Sequence, residues 1–216
     1  MEEKLVPEFI EKLPRKNTSA YVLWRVCFGY AFIFAIAFIF GVAFFSIFSA
    51  DVLESEEISV TVFSHFAKVF DGCSSCKDYF TVIIAASAPD IRLLLLLFAS
   101  GFTYFSGIVT SAFTVCNAFT VGFSFRYLTL VSDSLFNTQS VVFVFALFEL
   151  LFALLMIFLC ARSQIFSYDF RRIRGRKSRM IASPVIYLYM LLYLTAFGLV
   201  LILNACSCFT SLILYG

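Results

Sequence analysis

Long apolar segments alternate with polar ones along this chain. The apolar segments cover residues 21–48, 91–130, 140–160 and 185–215. A helix needs about 20 mostly apolar residues to cross the hydrocarbon core of a bilayer, which is about 30 Å thick. Residues 91–130 exceed that length, whereas the other segments suit one crossing each. The pattern therefore predicts an all-α, polytopic integral membrane protein whose helices form a bundle.

The amino-acid composition agrees with the hydrophobic pattern. Of the 216 residues, 62% are hydrophobic and 14% are charged, and 30 are phenylalanine. Soluble domains average about 25% charged residues, so the composition excludes a soluble protein and gives no sign of nucleic-acid binding. The first apolar segment is too long for the short apolar region of a cleaved signal peptide. We interpret it as the first membrane span.

Charged side chains divide the polar segments into basic and acidic ones. Lysine and arginine precede the first span and are frequent in residues 171–179, whereas most charged residues at 51–80 are acidic. Loops rich in lysine and arginine stay in the cytoplasm, so an odd number of crossings must join the acidic loop to the basic one. Residues 140–160 supply one crossing, and residues 91–130 must then supply two.

This parity predicts five spans in the cell membrane, with the amino terminus in the cytoplasm and the carboxyl terminus outside. The predicted spans are residues 21–48, 91–109, 111–130, 140–160 and 185–215. The predicted polar segments are a cytoplasmic amphipathic segment at 1–20, an external loop at 51–80 and a basic cytoplasmic loop at 162–180. We interpret residues 21–216 as one membrane domain in contact with the lipid bilayer.

The predicted central hairpin is richer in small and hydroxyl side chains than the neighbouring spans. Examples are Gly101, Ser106 and Gly122. Small residues let helices approach closely in lipid, and hydroxyl groups form hydrogen bonds across the contact. One interpretation is therefore ordinary helix packing. The alternative, which Asn117 and Arg126 favour, is a broken or re-entrant element lining a polar cavity, since irregular backbone occurs at membrane depth only where protein or water covers it.

A single acidic residue interrupts the apolar segment VFALFELLFALL at residues 144–155. This residue is Glu149. Acidic residues inside a span are energetically costly and usually face protein or water, so they mark candidate functional positions. Glu149 shares a helix face with small residues, and we expect it to point into the bundle towards the helix of residues 117–126. The face consists of Ala146, Glu149, Ala153, Met156 and Cys160.

Three roles are open for Glu149. The first is structural: the protonated side chain forms hydrogen bonds to neighbouring helices. The second is an ion pair with Arg126, and the third is a binding site for a proton or a ligand. Arg126 has the alternative of extending its apolar stem towards the membrane interface. The candidate intramembrane site therefore consists of Glu149, Asn117, Gly122 and Arg126.

The same residues carry a resemblance to a known family. Residues 117–122, NAFTVG, resemble an Asn-Gly-x-x-x-Gly motif, and residues 145–149, FALFE, lie where a His-Gly-x-x-Glu motif is expected. Asn117, Gly122 and Glu149 match these motifs. In these residues, in its size, in its five predicted spans and in its long external first loop, the chain resembles the stage II sporulation protein M family of bacterial and archaeal membrane proteins.

Three positions depart from the family pattern. Ala118 replaces the first glycine, and Phe145 and Ala146 replace the His-Gly pair, so no metal or catalytic role of histidine-bearing relatives is carried over. The resemblance implies a scaffold in endospore formation that gathers peptidoglycan-degrading partners, and other membrane or cell-wall-remodelling proteins, during engulfment. The alternative is a transporter or permease component with a polar site around Glu149.

Cysteine is the remaining candidate for chemistry. Cys73 and Cys76, in the sequence DGCSSCKD of the predicted external loop, form a disulfide or stay free thiols, and the alternatives are a redox pair or half of a zinc site. His65 is the only histidine, and the sequence contains no phosphate-binding loop and no recognisable catalytic set. We therefore predict no metal, no cofactor and no enzymatic activity.

The predicted topology can be tested with a membrane-impermeant thiol reagent on intact cells. After reduction, the reagent should modify Cys73 and Cys76, because the acidic loop is expected outside. In a variant that carries Cys73→Ser and Cys76→Ser, an added Ser178→Cys substitution should allow labelling only after the membrane is permeabilised. Labelling at position 178 in intact cells would contradict the predicted orientation.

Overall fold

The computed structural model describes residues 15–54, 76–135, 139–174 and 184–215. The regular elements in these ranges are all α-helices, with no strand among them. The helices are α1 (Arg15–Glu54), α2 (Cys76–Ser100), α3 (Ser106–Leu135), α4 (Gln139–Arg174) and α5 (Pro184–Tyr215). Most of the amphipathic segment predicted at 1–20 and of the loop predicted at 51–80 lies outside the described residues.

Each helix contains a stretch that is long and apolar enough to cross a bilayer. These stretches are Ala20–Phe48, Ile83–Ser100, Ser106–Tyr127, Ala146–Arg171 and Pro184–Ser207. In α1 the helical geometry breaks at Phe48, with φ −105° and ψ 16°, which is the last residue of its apolar stretch. The prediction of an all-α bundle with five candidate membrane spans is confirmed. Which end of the bundle faces the cytoplasm stays a prediction.

The central hairpin turns earlier along the chain than the sequence pattern predicts. The pattern places the break near residue 110, whereas residues 101–105 form the turn between α2 and α3. Before the turn, α2 extends back through Pro89, which the pattern leaves outside the span. Proline is tolerated in membrane helices because neighbouring groups satisfy the carbonyl that it frees. Both arms are long and apolar enough to cross the membrane, which agrees with a full hairpin.

The helices α2 and α5 run antiparallel to each other. Near the α2–α3 turn, the ring of Phe98 stacks on Tyr189, which lies close to the start of α5. Towards the other end of the bundle, Asp90 of α2 is hydrogen-bonded to Asn204, close to the end of α5. These two contacts are consistent with successive crossings in alternating directions.

Among the described helices, α1 and α3 make the most extensive contact. They are parallel, because Tyr30 is hydrogen-bonded to Thr110 near one end and Phe45 packs edge-on against Tyr127 near the other. The ring centroids of Phe45 and Tyr127 are 5.9 Å apart. The helix α2 therefore lies between α1 and α3 in the sequence but not in space.

Two glycines allow the backbones of α1 and α3 to touch. A Cβ atom added to Gly41 would overlap the carbonyl group of Phe119, and a Cβ atom added to Gly122 would overlap that of Phe38. Small residues at such crossings let membrane helices gain close van der Waals contact. Gly122, which the sequence analysis placed in the candidate site, is therefore a packing residue of the α1–α3 crossing.

Aromatic side chains fill the space between α2, α4 and α5 beside the α2–α3 turn. Phe166 and Tyr189 stack with ring centroids 3.8 Å apart, and Phe98, Phe102 and Tyr193 surround them. The edge-on pairs, Phe98 with Tyr193 and Phe102 with Phe166, each stabilise by about 0.5–1.5 kcal/mol beyond the burial of their area. This cluster closes one end of the bundle and brings the Tyr189 hydroxyl group to the turn.

A methyl group at the α1–α3 crossing should destabilise the bundle. Gly41→Ala places a Cβ atom against backbone atoms of α3, and overpacking of this kind typically costs about 1–3 kcal/mol. We expect a lower midpoint of thermal unfolding in detergent. The matched control is Gly29→Ala on the same helix, where nothing lies within 4 Å and alanine favours the helix. Equal midpoints for the two variants would contradict the proposed crossing.

Candidate functional site

The α2–α3 turn contains backbone carbonyl groups that lack helical partners. The last carbonyl groups of any helix are unsatisfied within it, so they accept hydrogen bonds from other donors. Side chains from two other helices donate hydrogen bonds to this turn. They are Ser163, Ser167 and Arg171 of α4 and Tyr189 of α5. We refer to these four side chains as the turn clamp.

Two members of the turn clamp hold the end of α2. The Ser163 hydroxyl group donates to the carbonyl oxygen of Leu97 at 3.1 Å, and the Tyr189 hydroxyl group donates to that of Phe98 at 3.1 Å. Gly101 makes room for this contact, because a Cβ atom there would overlap the Tyr189 hydroxyl group. A larger residue at position 101 would displace the tyrosine.

The other two members hold the residues that lead into α3. The Ser167 hydroxyl group donates to the carbonyl oxygen of Thr103 at 2.6 Å, and Arg171 Nη2 donates to that of Tyr104 at 3.3 Å. The Arg171 guanidinium group also lies over the rings of Tyr104 and Tyr168, at 5.4 Å and 5.3 Å from their centroids. Cation–π contacts of this kind stabilise a charge at the edge of an apolar region.

Polar side chains elsewhere in the hairpin also have partners within the bundle. Thr110 is hydrogen-bonded to Tyr30 of α1, and the Tyr30 hydroxyl group donates to Gln164 of α4 at 3.0 Å. The Thr114 hydroxyl group lies 3.6 Å from the Cys160 sulfur. In the described parts of the chain, no buried side-chain nitrogen or oxygen lacks a hydrogen-bond partner. These contacts support the interpretation of the hydroxyl-rich hairpin as helix packing.

The predicted inward face of α4 is buried. Ala153, Met156 and Cys160 on this face are 3%, 5% and 1% exposed, so the prediction is confirmed for them. Glu149 lies on the same face and is half-buried. The acid is therefore held against the bundle and not fully presented to lipid.

The ionisable group within electrostatic reach of Glu149 belongs to Asp90 on α2. An oxygen of the Asp90 carboxyl group accepts a hydrogen bond from Asn204 Nδ2 of α5 at 2.9 Å. We refer to Asp90, Asn204 and Glu149 as the Asp90 group. It brings polar side chains of three helices to the part of the bundle that lies away from the α2–α3 turn. The ion pair of Glu149 with Arg126 stays a prediction.

Sequence analysis missed Asp90 and Asn204. Pro89 and Asp90 precede the long leucine run of α2, so the sequence pattern places them at the end of a polar loop. In the structure both residues belong to the helix. A signal was present in Asn204, an amide group in an otherwise apolar span. An amide at that depth requires a polar partner, and antiparallel packing of α2 and α5 places Asp90 beside it.

The other predicted site residues all lie on α3. Gly122 faces α1 at the helix crossing. Asn117 and Arg126 are half-buried on α3, and Arg126 accepts a backbone hydrogen bond from the Thr129 hydroxyl group at 2.7 Å. Cys73 lies outside the described residues, so its disulfide with Cys76 stays a prediction.

Comparisons of the chain with protein-family models, with curated proteins and with solved structures found no match. The resemblance to the stage II sporulation protein M family therefore continues to rest on Asn117, Gly122 and Glu149. The arrangement of the turn clamp and of the Asp90 group stands independently of that resemblance.

Removal of one clamp hydroxyl group should destabilise the bundle measurably. Ser167→Ala leaves the carbonyl group of Thr103 without its side-chain donor, and hydrogen bonds between membrane helices average about 0.6 kcal/mol with a maximum near 1.7 kcal/mol. We expect a lower thermal midpoint in detergent. The control is Ser46→Ala, because Ser46 is exposed and bonds only Val42 of its own helix. A midpoint for Ser167→Ala equal to that of the control would contradict the clamp.

Proposed function

We propose that the protein is an integral membrane scaffold that holds partner proteins at the cell membrane. The observation that supports this proposal is the turn clamp. The polar side chains of the clamp lie on α4 and α5 and bind backbone groups at the α2–α3 turn, so they hold these helices together. A protein whose helices are held in fixed positions in this way offers a surface on which other proteins can assemble.

The outer surface of the helices is consistent with a scaffold. On α1, Trp24, Phe28 and Phe40 are 75%, 76% and 67% exposed. Large side chains of this kind contact lipid and can also pack against the spans of partner proteins, because helices associate in membranes through van der Waals packing. A scaffold needs such surfaces on more than one side, and α5 likewise exposes Tyr187 and Leu194.

The process follows from the resemblance to the stage II sporulation protein M family. We propose a role in endospore formation, in which the scaffold organises peptidoglycan-degrading enzymes and other wall-remodelling proteins during engulfment. The scaffold itself carries out no hydrolysis in this proposal. The residues that support the family resemblance are Asn117, Gly122 and Glu149.

Deletion of the gene in a spore-forming host should arrest sporulation at engulfment. The arrest is visible by fluorescence microscopy with a membrane dye, and expression of the intact chain should restore engulfment. Purified protein should retain cell-wall hydrolases while leaving peptidoglycan intact, and an unrelated polytopic protein at equal density serves as the control. Normal spores in the deletion strain would reject the sporulation role.

The Asp90 group favours a second candidate function. Two acidic side chains and an amide from three helices lie within the candidate spans, and ionisable residues at such positions mark paths for ions, protons or substrates. In this alternative the protein is a transporter or permease component, and Glu149 exchanges a proton or binds a ligand. None of the three described surface grooves is lined by Glu149.

Substitutions at Glu149 separate the two candidate functions. Glu149→Gln keeps the shape and most hydrogen-bonding capacity, so a scaffold should accumulate in the membrane and complement the deletion normally. A transporter that exchanges a proton at this position should accumulate normally and lose function. Glu149→Leu removes the polar contact and tests packing, with Leu150→Met on the lipid-facing side as the control. Full complementation by Glu149→Gln would reject the proton-exchange role.

A further inference from the structure

The exposed tyrosine and tryptophan side chains of the described residues all lie at one end of the bundle. They are Tyr21, Trp24, Tyr104, Tyr168 and Tyr187. The other large apolar side chains that these residues expose are phenylalanine, leucine, isoleucine, valine and methionine. Exposed rings that carry a polar group are therefore confined to the end of the bundle that holds the α2–α3 turn.

One contact between α1 and α3 shows that two of these rings lie at the same level. Tyr30 of α1 is hydrogen-bonded to Thr110 of α3, and the two helices are parallel. Trp24 lies six residues before the first of this pair, and Tyr104 lies six residues before the second. Both therefore lie beyond the pair, towards the turn. Tyr21 lies about 4.5 Å further out along α1, because a helix rises 1.5 Å per residue.

The turn clamp places the other two rings at the level of the turn. Tyr168 is next to the clamp residue Ser167 on α4. On α5, Tyr187 lies two residues before the clamp residue Tyr189. Since both clamp residues bind carbonyl groups at the turn, all five exposed rings lie around the same end of the bundle.

Hydropathy marks a boundary at the same level. The candidate span of α1 begins at Ala20, that of α5 begins at Pro184, and that of α4 ends at Arg171. Each exposed tyrosine or tryptophan lies within four residues of one of these ends or in the α2–α3 turn. The limit of the apolar stretches and the position of the amphipathic rings therefore agree on four different parts of the chain.

We propose that these five side chains form an aromatic belt that holds the turn end of the bundle in the lipid headgroup layer. Tyrosine and tryptophan suit this layer, because the ring packs among acyl chains while the hydroxyl or indole N–H group binds headgroups and water. The exposed arginines Arg25 and Arg171 lie at the same end of the bundle. Such side chains extend their charged ends to the membrane surface and, with the aromatic rings, anchor a helix at a fixed depth.

The clamp and the aromatic belt meet in one side chain. Arg171 donates a hydrogen bond to the carbonyl oxygen of Tyr104, and its guanidinium group lies over the rings of Tyr104 and Tyr168. The depth of the belt therefore determines the depth of the turn, which lies at the surface of the hydrocarbon. This position holds whether the protein is a scaffold or a transporter.

Fluorescence of the unmodified chain tests the proposal, because Trp24 is its only tryptophan. The full chain is reconstituted into phosphatidylcholine vesicles whose acyl chains carry bromine, a quencher of tryptophan, either near the headgroup or near the chain end. Trp24 should be quenched more strongly by the bromine near the headgroup. The comparison is a variant that carries Trp24→Phe and Phe32→Trp. Phe32 is 62% exposed and lies about 12 Å further along α1, so this variant should be quenched more strongly by the deep bromine and emit at shorter wavelength.

A matched pair on α5 tests whether the belt continues around the bundle. In the Trp24→Phe background, Tyr187→Trp should give the shallow quenching of Trp24, and Leu194→Trp should give deep quenching. Both positions are 68% exposed, and their separation of seven residues places them on the same side of the helix about 10 Å apart. Depth is therefore the main difference between the two variants.

Specific results would overturn the proposal. Stronger quenching of Trp24 by the deep bromine would place this end of α1 in the hydrocarbon and reject the belt. Equal depths for the Tyr187→Trp and Leu194→Trp variants would show that the rings of α1 and α5 share no common level. Protection of Trp24 from both brominated lipids would identify a second copy of the chain, in place of lipid headgroups, as the partner of this surface.

Discussion

The carbonyl groups at the end of α2 and in the turn that follows accept hydrogen bonds from side chains of two other helices, and the arrangement of four helices depends on these bonds. Donors come from α4 through Ser163, Ser167 and Arg171, and from α5 through Tyr189. Each bond restricts the position of one helix along another, because a shift by one residue would move the donor to a different side of its helix. The clamp therefore determines the relative heights of α2, α3, α4 and α5.

The helix α1 joins the bundle by a different kind of contact. Its glycine at position 41 and the glycine of α3 at position 122 bring the two backbones together, so shape complementarity replaces hydrogen bonding. Tyr30 links α1 to polar side chains of α3 and α4, through Thr110 and Gln164. Since van der Waals packing falls off steeply with separation, this crossing tolerates enlargement poorly, whereas a hydrogen bond can adjust its angle.

Length, hydropathy and charge were sufficient to predict five helices, because each criterion depends on the bilayer and not on tertiary structure. The predicted inward face of α4 was also correct at Ala153 and Met156, since small and apolar residues recur at helical spacing. The turn clamp was not predictable in the same way, because its donors lie more than fifty residues along the chain from the carbonyl groups they bind. Asp90 was not predicted because the proline before it is typical of a helix boundary.

The two polar regions of the bundle, the turn clamp and the Asp90 group, favour different candidate functions. At the turn, the buried side-chain groups of the described residues are hydrogen-bonded, whereas Glu149 has an acidic neighbour, Asp90. Acids that approach each other in a membrane favour a shared or bound cation, and this is why the transport alternative has a physical basis. The scaffold proposal rests instead on the turn clamp, and the exposed apolar faces of the helices are consistent with it.

The parallel pairing of α1 with α3 also has a consequence for biosynthesis. The helices α1 and α2, which follow each other in the chain, make no extensive contact with each other in the described structure. After insertion, the Gly41 face of α1 therefore lacks its partner until α3 has been translated. Membrane helices fold in two stages, insertion and then association. For this chain the second stage cannot begin before α3 arrives, so a nascent chain that stalls after α2 presents two unassembled helices to membrane quality control.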